Sequence, residues 1–494
     1  MESSSRTEHP LTDAQRSLQE ERKKRKLTKK LLKMQMGANE RDESKWPKCV
    51  MWIPNRSRFC SGERVPGSKY CINHIHLDKS GADSTDASSR RRVVCPVDPS
   101  HTVFEDRLEK HIKVCNKSKQ KEIQSSLPYF VPNFNQGNQG TPKPFEFDSS
   151  EAKKAFEEAL EQKIRTTYAK LFPNGIPTVP LCPSSFDAFI ADKSERGATK
   201  ESLRHLYQQV SIISHMQERG FLSETPVYIE FGAGRGMLSL GVDFCLNGHL
   251  PTDPAYPADS RGKYLLIDMS PVRFKADRWL RHKESDFQRV TGNIRDIDLR
   301  KVPIFQPERN RHIVGIAKHL CGVATDYTIR CVVNAMAGPR GGLEVDGVCI
   351  ATCCHHRCQW HSFAGREVFE ELGFVTGEWD YVRRLTSWAT VTSKEHSGEE
   401  KATEELVGGR AADEDTLTRN PVKIEFLTVD PELGRMCKRI IDFCRCRFIE
   451  SQVNEIMATK EGEKRFSVEM VYYCEPEDSP ENCLILGSVV WSVS

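Results

Sequence analysis

The segment of residues 227–240 constrains the fold of this 494-residue chain more than any other. It begins with Val-Tyr-Ile-Glu-Phe, a short apolar run that predicts a buried parallel strand. Three glycines, Gly232, Gly234 and Gly236, follow at once, and the apolar run after them predicts a helix. Glycines let a backbone approach a ligand closely, and a helix N-terminus offers free N–H groups. The segment therefore predicts a nucleotide-binding turn in an α/β fold; the alternative is a glycine-rich turn without a ligand.

The spacing of these glycines separates two kinds of nucleotide site. A dinucleotide-binding turn has the pattern G-x-G-x-x-G, whereas position 237 is Met here and the glycines follow G-x-G-x-G. An acidic residue, Glu230, lies two positions before the first glycine. This variant resembles motif I of class I S-adenosylmethionine (SAM) methyltransferases. The resemblance implies that Glu230, Gly232, Gly234 and Gly236 belong to the cofactor site.

Two aspartates follow the next predicted strands. Lys263–Asp268 is a short apolar strand, and an acidic residue at the end of the second strand normally binds ribose hydroxyls. Asp268 fits that role, although a polar insertion over 247–262 makes its distance from the glycines longer than the usual twenty or so residues. Asp296 closes the predicted third strand and is expected to face the adenine amino group. For both aspartates, a turn or capping role is the alternative.

Two reactive clusters follow the fourth and fifth predicted strands. Residues 311–317 lead into Lys318, His319 and a Cys-Gly pair, and residues 347–352 lead into Cys-Cys-His-His-Arg-Cys over 353–358. Chemistry in open α/β sheets takes place beyond the carboxyl ends of the strands. Lys318 and His319 are the first candidates for catalysis, and the two histidines of the second cluster come next. That cluster also fits a third zinc site or a packing role, but adjacent cysteines should point in divergent directions.

The rest of the catalytic domain follows the same architecture. Amphipathic helices are predicted over 155–171, 201–222 and 435–456, and the chain ends in a predicted hairpin of strands 466–473 and 483–490. The element order predicts an α/β fold, and the resemblance at residues 227–240 implies a Rossmann-like class I SAM methyltransferase domain over 150–494.

The first predicted zinc module spans residues 46–77. Three cysteines and one histidine can complete a closed tetrahedral zinc site. The segment has too few aliphatic side chains to fold without such a metal. Four unconnected residues in a loop are the alternative. The predicted ligands are Cys49, Cys60, Cys71 and His74.

The second predicted zinc module spans residues 91–118 and has the ligand order Cys-His-His-Cys. Thr102-Val-Phe-Glu105 matches a capping box, which predicts that a helix starts there. That helix would present two of the ligands one turn apart on the same face. The order resembles the CHHC finger of a minor-spliceosome subunit and of a tRNA methyltransferase family, and neighbouring lysines and arginines favour a polyanionic partner. The predicted ligands are Cys95, His101, His111 and Cys115.

Composition and charge predict the localisation of the protein and its segments outside the folded domains. The net charge of +3 says little about partners, and neither a bilayer-spanning apolar run nor a signal peptide is present. We therefore expect an intracellular protein, in the nucleus or cytoplasm, whose 18 cysteines are reduced or bind metal. Residues 1–45 are expected to form a basic, partly disordered tail, 119–149 a linker, and 393–420 an acidic disordered insertion.

Taken together, the two fingers and the motifs FGAGRG, AKHLCG and CCHHRC, in this order, resemble the tRNA 2′-O-methyltransferases that modify nucleotide 4 of the acceptor stem. The resemblance runs from about residue 46 to the C-terminus. It implies SAM as the methyl donor, two structural zinc ions, and the ribose 2′-hydroxyl of C or A at position 4 of a tRNA acceptor stem as acceptor. The alternatives are methylation of a protein or small molecule, and a non-catalytic zinc-finger scaffold that binds RNA.

Overall fold

The computed structural model describes most of the chain. The described residues are 48–53, 58–71, 74, 92–98, 101–137, 140, 145–195, 197–250, 253, 255–256, 261–269, 276–281, 286–306, 310–338, 342–390, 422–458 and 464–491. They fall into two compact units, one formed by residues up to 122 and the other by the chain from Ile123 onward, apart from 400–418. The predicted tail of 1–45 and insertion of 393–420 lie outside the described residues. Within the described part, no helix is long and apolar enough to cross a membrane.

The first unit contains short strands and small helices. Strands β1 (Trp52–Ile53) and β2 (Arg58–Phe59) pair antiparallel, as do β3 (Arg92–Val94) and β4 (Thr102–Phe104). Helices α1 (Leu108–Val114) and α2 (Asn116–Ser125) follow. The prediction that a capping box at 102–105 opens the helix was wrong. Thr102 lies in β4, a single 3-10 turn intervenes, and α1 starts without a side-chain cap.

A seven-stranded sheet forms the centre of the second unit. Its strand order is β10-β11-β9-β8-β5-β6-β7, and the five strands from β5 to β9 are parallel, whereas β11 pairs antiparallel with both β9 and β10. The strands are β5 (Val227–Phe231), β6 (Lys263–Asp268), β7 (Phe287–Thr291), β8 (His312–Cys321), β9 (Glu344–Cys353), β10 (Lys464–Tyr472) and β11 (Cys483–Trp491).

The path of the chain through this sheet locates a ligand crevice. From β5 the chain proceeds outward to β6 and β7, and then returns to β8 on the opposite side of β5. In open α/β sheets, ligands bind beyond the carboxyl ends of the strands at such a reversal. The glycine turn and the Lys-His-Leu-Cys segment therefore border the same crevice, because they lie at the carboxyl ends of β5 and β8.

Helices cover both faces of the sheet. They are α3 (Ser150–Leu171), α4 (Asp187–Glu195), α5 (Lys200–Glu218), α6 (Met237–Asn247), α7 (Asp277–Leu280), α8 (Val323–Met336), α9 (Arg366–Glu371), α10 (Trp379–Leu385) and α11 (Pro431–Ala458). Apolar residues of α5 and α6 pack on one face, and those of α8 and α11 pack on the other. Every residue of β5 is consequently buried, as its continuous apolar pattern predicts.

The predicted linker of 119–149 differs from its expected structure. Its first residues belong to α2, and Phe130 forms a β-bridge with Ile297. Asn135 is completely buried, and its side-chain amide donates to the carbonyls of Ile294 and Ile297 at 2.7 and 2.8 Å. Residues around 130–135 are therefore a fixed part of the second unit, because a buried amide needs partners that only the folded domain supplies.

Candidate active site and metal-binding modules

The glycine turn after β5 adopts a conformation that side chains disfavour. Gly232, Gly234 and Gly236 have φ angles of +65°, +49° and +71°. A Cβ on Gly236 would lie 2.6 Å from Leu266 Cδ2, whereas a Cβ on Gly234 would meet nothing within 4 Å. Gly236 is thus required by the packing of the turn on β6. The open side of Gly234 is where a ligand can reach the backbone.

Glu230 contacts the start of the helix that follows the glycine turn. Its side chain is buried, and its Oε2 accepts hydrogen bonds from the backbone N–H and the hydroxyl of Ser239 at 2.9 and 2.5 Å. Ser239 is the third residue of α6, so the carboxylate satisfies a free N–H group at the helix N-terminus. Burial raises the pKa of Glu230 to about 7. Its observed role is to fix the start of α6.

A second carboxylate and a guanidinium hold the Gly234 peptide. Asp268, at the end of β6, accepts a hydrogen bond from Gly234 N through Oδ2 at 2.7 Å. Arg289 of β7 donates to the Gly234 carbonyl at 3.1 Å and forms two hydrogen bonds with Asp277, at 2.8 and 2.6 Å. Arg289 was missed by the sequence analysis, because a lone arginine in a strand gives no signal of its partners. Together these contacts preorganise the turn.

Asp296 is engaged by the chain itself. It lies in a 3-10 turn (Ile294–Asp296) after β7, whereas the sequence analysis placed it at the end of the strand. Its Oδ1 accepts from the backbone N–H of Asn133 at 2.7 Å, and Arg295 donates to both oxygens at 3.0 and 3.2 Å. This buried carboxylate holds the segment around Asn133 on the domain.

The candidate catalytic residues lie within a strand. We expected Lys318 and His319 in a loop, but β8 continues to Cys321, so both lie near the C-terminal end of this strand. The Lys318 ammonium donates to the carbonyl of His205 in α5 at 2.8 Å, and burial lowers the pKa of Lys318 to about 8. A lysine with a lowered pKa can exchange a proton near neutral pH. The side chain of His319 lies outside the described set.

Three thiols converge at the carboxyl ends of β8 and β9. The sulfur atoms of Cys321, Cys353 and Cys354 all lie within 4.8 Å of one another. The expectation that adjacent cysteines diverge was wrong, because Cys354 has the left-handed angles φ 51° and ψ 42° and so leaves the alternation of the strand. Hydrogen bonds from the Cys353 and Cys354 thiols lower the pKa of the Cys321 thiol.

A buried polar network surrounds His355, which belongs to the Cys-rich segment of residues 353–358. His355 Nε2 is 2.8 Å from Asp442 of α11, and neither side chain is exposed to solvent. Asp442 also accepts from Thr352 at 2.9 Å and from Arg445 at 3.2 Å, and Arg445 pairs with Asp326 at 2.6 Å. His355 is therefore a structural residue, whereas the neighbouring His356 is exposed. Sequence reasoning missed this network because its members lie on β9, α8 and α11.

The first set of zinc ligands converges as predicted. Cys60 and Cys71 have their sulfur atoms 3.8 Å apart, and His74 Nδ1 lies 3.3 Å from Cys71 Sγ and 3.5 Å from Cys49 Sγ. A zinc tetrahedron with bonds of about 2.3 Å to sulfur has edges of about 3.8 Å. The three cysteines are buried and form the small core of the module. The donors therefore fit a zinc ion.

The second set also converges. His111 Nε2 lies 3.3 Å from Cys95 Sγ and 2.9 Å from His101 Nε2, and Cys115 Sγ lies 4.0 Å from the same His101 atom. The Asp98 carboxylate is 3.4 Å from His101 Nδ1, the nitrogen that faces away from the other ligands. Such a carboxylate orients a zinc-bound imidazole. Two sets of four donors thus fit two zinc sites.

These features define a class of protein. A mostly parallel sheet with a glycine turn at its reversal point, preceded by two zinc-finger modules, is the architecture of a cofactor-dependent α/β enzyme with attached metal modules. A model of the family described as "Methyltransferase TRM13" matches residues 207–488, which is more than half of the chain. The chain therefore belongs to the TRM13 methyltransferase family, and such a methyltransferase uses SAM.

The two modules have their own family matches. The model described as "CCCH zinc finger in TRM13 protein" matches residues 47–75, and that described as "U11-48K-like CHHC zinc finger" matches residues 92–116. Both matches include all four converging ligands of the respective module.

Relatives of similar length were found in several eukaryotes. A Mus musculus protein named "tRNA:m(4)X modification enzyme TRM13 homolog" is 28% identical over 491 residues, covering 89% of this chain and 93% of that protein. The Saccharomyces cerevisiae and Yarrowia lipolytica proteins named "tRNA:m(4)X modification enzyme TRM13" are 26% and 29% identical and cover 89% and 90% of this chain, and 95% and 91% of their own lengths.

Proposed function

We propose that this protein transfers a methyl group from SAM to the ribose 2′-hydroxyl of nucleotide 4, C or A, in the acceptor stem of tRNA. The observation that supports this most is the family match over 207–488, together with relatives that are named tRNA modification enzymes. A tRNA substrate is consistent with localisation of the protein in the nucleus or cytoplasm. The two zinc modules would span 46–77 and 91–118, and the catalytic domain 150–494.

The strand order supports a Rossmann-like class I domain. The sheet has β6 and β7 on one side of β5, and β8, β9 and the closing hairpin of β10 and β11 on the other side, in agreement with the expected architecture. In this proposal the SAM nucleoside lies beyond the carboxyl ends of β5 and β6. Gly234 offers its open side there, and Asp268, with one oxygen on Gly234 N, binds the ribose hydroxyls through the other. Glu230, Gly232, Gly236 and Asp296 shape the pocket.

Bound SAM supplies an electrophilic methyl group on a sulfonium. The chain then has to hold the ribose oxygen in line with that methyl group and remove the hydroxyl proton. We assign the proton transfer to Lys318, with His319 as its neighbour in β8. With a pKa of about 8, roughly one Lys318 side chain in ten is neutral at pH 7 and can accept a proton. Its hydrogen bond to the His205 carbonyl keeps the amine in place.

The zinc modules are the proposed tRNA-binding part. Helix α1 of the second module and helix α2, which starts in this module and continues beyond it, expose the lysines Lys110, Lys113, Lys117 and Lys119. Double-stranded RNA presents its 2′-hydroxyls in a shallow minor groove and is recognised mainly by shape and phosphate contacts. Exposed ammonium groups on a metal-braced scaffold suit that recognition, and binding that depends on them should weaken steeply with salt.

The decisive experiment combines transfer and mapping. Tritium from labelled SAM is expected to enter a tRNA pool, with the 2′-O-methyl group at nucleotide 4 of the acceptor stem. Label in protein and none in tRNA would reject the proposal in favour of another acceptor. Absence of SAM binding by calorimetry would instead favour a non-catalytic scaffold.

A further inference from the structure

Three groups of potential metal ligands occur within the described part of the chain: the two finger sites and a cluster of three thiols at the edge of the sheet. We propose that Cys321, Cys353 and Cys354 bind a third metal ion, a thiophilic divalent cation of the zinc class. This site is separate from both fingers and does not depend on which acceptor is methylated.

The strand register brings the thiols together. Cys321 and Cys353 are partners in the parallel pairing of β8 and β9, and their sulfur atoms are 3.6 Å apart. That separation is close to the edge of about 3.8 Å expected for two thiolates on one zinc ion. Cys354 would point to the opposite face if the strand continued. Its left-handed conformation, uncommon for a residue with a side chain, turns its sulfur toward the other two.

The backbone around the thiols is held in place before any ion binds. Gly322 N donates to the Cys353 carbonyl at 3.2 Å, which ties the ends of the two strands together. Cys354 N donates to the Glu481 carboxylate at 3.3 Å, and Lys438 donates to the same oxygen at 2.7 Å. A strained residue persists only when its surroundings fix it, and such strain concentrates at binding sites.

Exposure gives the site an entry path. Cys353 is buried, whereas Cys321 and Cys354 are half-buried. An ion can therefore reach the thiols from solvent, and each thiol loses its proton as the bond to the metal forms. Three thiolates leave one tetrahedral position for water or another exchangeable ligand, as in zinc sites that are not closed.

The test is the zinc content of the full-length protein. Elemental analysis of protein purified under reducing conditions with zinc is expected to give three ions per chain. Cys321→Ser and Cys354→Ser should each give two, because the hydroxyl is a poor zinc ligand. Cys182→Ser is the matched control, since Cys182 is an exposed thiol outside all three clusters, and it should retain three. Circular dichroism and the melting temperature check that each variant is folded.

A cobalt-substituted sample provides a second measurement. The thiolate-to-cobalt absorption of the wild-type protein should exceed that of folded Cys354→Ser, and Cys182→Ser should match the wild type. Two zinc ions per wild-type chain would overturn the proposal, as would three in both cluster variants. A Cys321–Cys353 disulfide found by mass spectrometry in the reduced, zinc-treated protein would overturn it as well.

Discussion

Gly322 packs so closely on Arg357 that a Cβ at position 322 would lie 2.6 Å from the Arg357 Cβ and 2.9 Å from its carbonyl oxygen. Gly322 directly follows β8 and ends the Lys-His-Leu-Cys-Gly segment, and Arg357 belongs to the Cys-rich segment at the end of β9. Two motifs that are separated by more than thirty residues in the sequence are therefore parts of one packed edge of the sheet.

Gly322→Ala tests this packing. The substitution adds a clash with backbone atoms to the strain of a positive φ of +57°, so we expect a loss of about 2–4 kcal/mol in the free energy of unfolding. Gly373→Ala is the control, because Gly373 also has a positive φ, +87°, but an open Cβ position, and strain alone should cost about 1–2 kcal/mol. Urea denaturation measures both. Equal losses would contradict the close contact.

Gly234→Ala separates cofactor binding from stability. A Cβ at this position meets no protein atom within 4 Å and would project into the space proposed for SAM. We expect SAM affinity to fall at least tenfold by calorimetry, while stability falls by about 1–2 kcal/mol. Gly220→Ala has a similar φ, +70°, and equally open surroundings, and should keep wild-type SAM affinity. Unchanged affinity in Gly234→Ala would move the cofactor elsewhere.

Lys318→Ala and Lys318→Arg test the proposed base. A lysine with a pKa of about 8 must be neutral to accept a proton, so kcat/KM should rise with pH and level off above 8. Alanine should lower kcat about 100-fold or more with SAM affinity intact. Arginine keeps the charge but stays protonated, and should be equally inactive. An active Lys318→Arg enzyme with the wild-type pH profile would show that Lys318 is not the base, because arginine stays protonated.

Glu230→Gln tests the buried carboxyl under α6. Burial raises its pKa to about 7 from an ordinary value of 4.5, so its protonated form favours the folded state. Its contribution is complete below pH 4.5 and is lost as the pH rises through about 7, a change on the order of 3 kcal/mol. Between pH 5 and 8 the wild type should therefore lose more stability than Glu230→Gln, as measured by melting temperature. Parallel curves would show that the pKa is ordinary.

Removal of zinc tests the modules. Chelation is expected to unfold the segments around the two ligand sets, because the first module has buried cysteines instead of an aliphatic core. Hydrogen exchange should accelerate in 48–71 and 92–115 and stay slow in β5 and β8. Cys60→Ser should reproduce the effect in the first module only. Slow exchange in both modules after complete zinc removal would contradict a structural role for the metal.

Local patterns in the sequence determined the elements and the ligand sets. The strands at Val227–Phe231 and Lys263–Asp268 have the predicted bounds, because short apolar runs with β-branched and aromatic residues, bounded by turn residues, favour a buried strand. The eight predicted zinc ligands also converge in two sets of four, since the type of the donors, thiols and imidazoles, is what indicates a zinc site in a sequence. Helix starts were less certain, as the strand at Thr102 demonstrates.

Only the tertiary structure decided what the individual polar side chains contact. The sequence predicted Glu230 and Asp296 as residues of the cofactor site, and the fold shows that their oxygens accept hydrogen bonds from Ser239 and Asn133. It also turned Cys354 toward Cys321 and buried His355 against Asp442. These partners come from strands and helices far apart in the chain. Periodicity reports which face of an element is buried, whereas a hydrogen bond depends on the packing of several elements at once.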